Sequence, residues 1–166
     1  MKRQSPHTQG RVANRKFNAI GNHQRKIRVQ LRQLETFFHK ATKEIGLGKD
    51  CLAVRFIDAA EMARLNETYR KKKGPTDVLS FPAEEQSKPG TLARQVRWAK
   101  GKFLGDIAIA PAVARRNSKP LGRTLTEEVK ILILHGVLHL LGYDHESDQG
   151  EMERIEMRLR RRLGIA

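Results

Sequence analysis

Apolar residues recur along this chain with two different periods, and the alternation between them lays out its elements. From Gln30 onward Leu31, Leu34, Phe37, Phe38, Ala41 and Ile45 keep the three-and-four spacing of one helix face, until Gly46 and Gly48 stop it. Residues 52–57 (LAVRFI) are rich in β-formers and predict a strand. Asp58 followed by Glu61 is a capping-box signature, opening a helix to about Thr68. YRKKKGPT then reads as a basic loop ending in a turn. DVLSF (77–81) predicts a strand closed by Pro82, and FLGDIAIA (103–110) another closed by Pro111. Residues 83–102, with Pro89, Gly90, Gly101 and basic side chains around Trp98, predict an exposed excursion. Thr124 and Glu127 make a second capping box, for an apolar helix that runs to about Leu141 and ends at Gly142. Ser147 is expected to start a last helix, with Met152, Ile155, Leu159 and Leu163 on one face and five arginines elsewhere.

Counting FNAI (17–20) as a first strand, the order is strand, helix, strand, helix, two strands, then helices. That pattern predicts an α/β single domain with a small mixed β-sheet flanked by helices. The length of 166 residues suits one domain with a real core. We place this domain at 15–166, behind a basic, disordered tail at 1–14; an organelle leader is the minority reading of the tail. No apolar run approaches the roughly 18 residues that a bilayer crossing needs, so a soluble, cytoplasmic protein without membrane attachment is expected.

Charge sharpens this picture. Thirty-three Lys and Arg against 18 Asp and Glu leave a formal net charge of +15, and the first acidic residue is Glu35. Such an excess points to a polyanionic partner, nucleic acid before a membrane surface, although a basic coat serving solubility explains composition equally well. The single cysteine, Cys51, lies in an apolar stretch and reads as a buried, inert thiol.

Candidate chemistry concentrates in HGVLHLLGYDH, residues 135–145. His135 and His139 stand four apart on a predicted helix, so both imidazoles project from one face, and Gly142 permits a turn that returns His145 to the same point. Three neutral imidazoles leave a fourth zinc position for water, whose pKa zinc lowers toward ~7. The spacing equals that of the metzincin signature HExxHxxGxxH, a metzincin-like zinc site, except that Gly136 stands where the protease keeps its general-base glutamate; a peptidase is therefore disfavoured. His7, His23 and His39 share no such pattern. Asp144 reads equally as a turn residue or as an acceptor that orients an imidazole. Asp77 and Asp106, near strand ends, have the same two options. Arg70 offers a guanidinium that can clamp a phosphate, but from its context alone a solvated lysine-rich loop is the favoured reading.

Three stretches together, LNETYRKKKGPTDVLSFPA (65–83), FLGDIAIA (103–110) and HGVLHLLGYDH (135–145), resemble the YbeY family of bacterial endoribonucleases and rRNA maturation factors. The resemblance spans about residue 15 to the end. It implies a metal-dependent, single-strand-preferring endoribonuclease that acts in 16S rRNA 3′-end maturation and ribosome quality control, with one Zn2+ per chain. It implies His135, His139 and His145 as metal ligands and places the family's functional arginine on Arg70, so that Arg70 and His135 are the catalytic candidates. The implied partners are RNA, namely the 16S rRNA precursor and the small ribosomal subunit; no DNA is expected. The rival from another class is a non-catalytic rRNA-binding assembly factor with a structural zinc, which a fourth protein ligand would favour. The 83–102 excursion and the tail lie outside what the resemblance covers.

Overall fold

The structure, a computed structural model, describes residues 19–48, 50–84 and 89–165, so the expected tail at 1–14 and the first half of FNAI lie outside the described residues. Four strands form one mixed sheet in the order β1-β2-β4-β3: β1 (Ile20–Asn22), β2 (Leu52–Phe56), β3 (Val78–Pro82) and β4 (Gly105–Ile109). The first three neighbours run parallel and β3 runs antiparallel to β4, with Leu52 opposite Gly105 and Val78 opposite Ile109. Pro82 does not close its strand but belongs to it; β3 is an edge strand, where a missing N–H costs no ladder bond.

Two helices cover one face of this sheet. α1 (Leu31–Ile45) buries Leu34, Phe37, Phe38, Ala41 and Ile45, the stripe its spacing predicts. α5 (Leu125–Leu140) opens on the Thr124–Glu127 capping box, both halves of which form, and is apolar on nearly all sides, as a helix through the middle of a core must be. Between them and the sheet lie the fully buried Phe38, Val54, Phe56, Ile107, Ile109, Ile133 and Leu134. A smaller cluster around Met62, Leu79, Ala110 and Val113 occupies the other face, beneath α2 (Ala59–Arg70) and α4 (Pro111–Ser118). Asp58 caps α2 by accepting the Glu61 N–H at 2.8 Å, and the helix continues to Arg70, past the expected end.

The interval 83–102 differs most from expectation. It carries α3 (Leu92–Ala99), capped by Thr91 and docked on the core through buried Gln95 and Ala99, so the order is strand, helix, strand between β3 and β4. Its apolar face, Leu92, Val96 and Ala99, is short and lies between Gly90 and Gly101 in a stretch dense in basic residues, the composition of a loop. α6 (Glu151–Leu163) begins four residues after Ser147, because Asp148 first caps the turn by accepting the N–H groups of Gly150 and Met152.

Candidate metal centre

From Ile131 to Leu141 every residue is buried except His135 and His139, so the one open strip on the inner half of α5 is the strip that carries the two imidazoles. Their Nε2 atoms approach to 3.1 Å. The helix ends where Gly142 adopts φ +96°, a left-handed conformation that side chains resist, and the Tyr143 N–H returns to the Leu138 carbonyl at 3.1 Å. That reversal brings His145 back. The three rings lie 4.7, 5.3 and 5.4 Å apart between centroids, and one donor nitrogen from each falls within 4.8 Å of the others.

The donor set fits a transition-metal ion. Bonds of about 2.0–2.1 Å in a tetrahedral site put ligand nitrogens about 3.3 Å apart, which one pair already nearly meets and which small rotations of exposed His145 supply for the others. Burial, followed by the charges of His135 and His145, pushes the His139 pKa down to about 4, so its imidazole is neutral and has a free lone pair at neutral pH. Among the described residues the group holds three side chains, and all three line the adjoining cleft.

Several bonds hold this end of α5 in place. Gln95 of α3 donates to the Leu141 carbonyl at 2.7 Å in a buried position, and the buried Tyr143 ring sends its hydroxyl to the Gly90 carbonyl at 2.8 Å. Part of the interval expected to be an exposed excursion is therefore a brace for the turn that carries the third histidine. Trp98 packs partly against the core and is covered by the Lys102 ammonium, 4.4 Å from its ring.

Gly136 has a steric cause. A Cβ there would lie 2.8 and 2.9 Å from the Cδ1 and Cγ2 of fully buried Ile107, because this is where α5 presses on β4. The position that the metzincin signature gives to glutamate faces the sheet, and a larger residue there forces the buried Ile107 side chain or the helix itself to shift.

The cleft beside the histidines encloses about 810 Å³ and is shared by Tyr69, Arg70, Phe81 and Glu146. Arg70 is the last residue of α2, and Lys71 leaves the helix at φ +56°. The basic loop that follows is pinned, since buried Asn66 donates to the Gly74 carbonyl at 2.8 Å. Across the cleft mouth Arg70 meets Glu146 at 3.3 Å, both side chains exposed. The fold thus brings Arg70 to the same cavity as His135, His139 and His145.

Asp77, Asp106 and Asp144 do not orient a histidine. Asp77 accepts from Asn117 at 3.1 Å, Asp106 pairs with Arg55, and Asp144 accepts the Glu146 N–H at 3.0 Å inside its own turn. The carboxylate that reaches one of the three histidines is Glu156 of α6, whose Oε2 lies 2.9 Å from His135 Nδ1. The sequence signal for it was a carboxylate four residues after Met152 and three before Leu159, on the apolar face of an amphipathic helix.

Together the fold and site define an α/β protein with a three-histidine centre able to hold a metal ion at the edge of an open cleft. Comparison with known proteins makes this specific. The chain belongs to the endoribonuclease YbeY family, whose profile matches residues 19–164. It is similar to the Endoribonuclease YbeY of Aquifex aeolicus, 42% identical over 78% of this chain and 79% of that one. That of Solibacter usitatus is 42% identical over 80% and 78%. Among solved structures, the solution structure of TM1509 from Thermotoga maritima shares the fold, with a TM-score of 0.55 over 87% of each chain at 23% identity. No described helix is long and apolar enough to cross a membrane.

Proposed function

We propose that this chain is a zinc-dependent, single-strand-specific endoribonuclease of the cytoplasm that acts in 16S rRNA 3′-end maturation and ribosome quality control on the small ribosomal subunit. Membership of the family supports an RNA-cleaving hydrolase. The observation that carries the reading is the convergence of three imidazoles and the Arg70 guanidinium on one open cleft. Zinc held by His135, His139 and His145 supplies Lewis acidity and an activated water at neutral pH. Arg70 grips the scissile phosphate. Its present partner, Glu146, is exposed, and such pairs contribute only about 0–1 kcal/mol, so a phosphate that offers two parallel charge-assisted bonds displaces it. Tyr69, 64% exposed on the cleft rim and edge-on to Phe81 at 5.1 Å, offers a face on which an unpaired base can stack; a paired base has no free face. The excess of +15 adds sequence-independent attraction to the RNA backbone.

The three-ligand donor set favours an open, reactive centre over the closed four-ligand site of a structural zinc. The test is cleavage of matched single-stranded and duplex RNA by the full chain. About one zinc per chain, cutting of the single strand, and loss of both zinc and cutting in His139→Ala are expected. Zinc-loaded protein that binds RNA without cutting it would replace this reading with that of an assembly factor.

A further inference from the structure

Three observations converge on Glu156. The Nε2 of His135 is turned toward His139, which leaves Nδ1 on the far side of the ring, and there Glu156 Oε2 sits at 2.9 Å. Only 15% of the Glu156 side chain is exposed, so this carboxylate is largely withdrawn from water and depends on its partners. Its second oxygen faces the Arg160 guanidinium one helical turn on, at 3.7 Å, and the Arg160 side chain is itself 19% exposed. A line of contacts therefore runs from Arg160 through Glu156 to His135.

We infer that Glu156 is a positioning residue: it fixes His135 in the tautomer protonated at Nδ1, and so presents the Nε2 lone pair to the metal, while Arg160 holds the carboxylate. This rests on the metal reading above. An ionised carboxylate only accepts hydrogen bonds, so the contact forms when Nδ1 carries the proton, and the same proton placement empties Nε2 for coordination. A free neutral imidazole samples both tautomers and turns about its side-chain bonds; the contact from α6 removes both freedoms. The role also accounts for the carboxylate's place on a face otherwise formed by Met152, Leu159 and Leu163.

The test uses zinc itself, titrated into metal-free full-length protein against a competing chelator. Glu156→Ala is expected to weaken zinc binding by about 10- to 100-fold. Glu156→Gln, whose amide oxygen still accepts, should lose less, and Glu153→Gln on the exposed side of α6 should lose nothing. Nitrogen NMR of the metal-free wild type should find His135 protonated at Nδ1, with a tautomer mixture in Glu156→Ala; a purely structural role would not move this signal. Melting curves of the Gln variant guard against a folding defect in the Ala variant. Zinc affinity within twofold of wild type in both Glu156 variants, or a wild-type His135 protonated at Nε2, would overturn the assignment while leaving the metal reading intact. A wild-type chain that takes up no zinc, like His139→Ala, would overturn both.

Discussion

The two walls of the cleft are built on different principles. On the α5 wall, His135 and His139 are backed by Ile133, Leu134, Val137, Leu138 and Leu140, all with no exposure, so the imidazoles cannot shift without opening the core. On the opposite wall Tyr69 and Arg70 stand at the exposed end of α2, held by one surface ion pair and a pinned loop. The first arrangement suits a metal, whose ligand geometry tolerates little error. The second suits a chain substrate, which must enter, be gripped and leave. A rigid wall and an exposed one meet within one cavity because the first draws its support from the core and the second from solvent-facing charge.

The contrast is broken most severely from the rigid side. Gly136→Glu restores the protease residue but forces a side chain, and a charge, against Ile107. Overpacking alone costs about 1–3 kcal/mol, and burying the charge adds to it, so a large drop in melting temperature and no peptidase activity are expected. A stable variant with unchanged melting would show that Ile107 and its neighbours repack around a larger residue at 136.

Arg70→Ala should act on the other wall alone. Loss of a charge-stabilising donor is commonly worth about 10²–10³-fold in rate, while zinc content and melting temperature should stay near wild type, because the ion pair removed is exposed. Parallel loss of stability and cleavage would make Arg70 part of the rigid half.

Between these extremes stands Gln95→Ala. It leaves the buried Leu141 carbonyl without its donor, at a cost of about 1–3 kcal/mol, and should weaken zinc binding although Gln95 touches no ligand. Unaltered zinc affinity together with lowered stability would detach α3 from the metal centre. Tyr69→Ala should weaken single-stranded RNA binding by about 1–3 kcal/mol and leave duplex binding unchanged. The smallest effect concerns Cys51, whose thiol burial pushes up to about 11. At pH 8 it is almost wholly protonated, so alkylation of the native protein should be negligible and should become complete only on unfolding.

What was readable in advance follows physical range. The α1 stripe, the Thr124–Glu127 cap, the strand at Leu52–Phe56 and the three histidines are signals carried by residues at most four apart, or by a turn of a few residues, where backbone geometry alone dictates who meets whom. In 83–102 the local signals conflict, since Pro89, Gly90, Gly101 and the basic side chains speak for a loop while Leu92, Val96 and Ala99 keep helical spacing; the docking is decided by Gln95, whose partner Leu141 lies 46 positions away. Asp144 is a natural candidate because it stands beside His145, and Asp77 because it sits at a strand end, yet the carboxylate that meets a histidine is Glu156, 21 residues past His135 and on a different helix.

The sequence by itself determined the family, the α/β class, the large positive charge, and the histidine triad at 135, 139 and 145, since helical spacing and a single glycine turn suffice to gather those imidazoles. Tertiary structure alone decided that position 136 must be glycine, that Arg70 faces the same cavity, and that α3 and α6 brace the two ends of the site. These depend on which side chains of separate elements pack together. That pairing is set by the whole core rather than by any local run of residues.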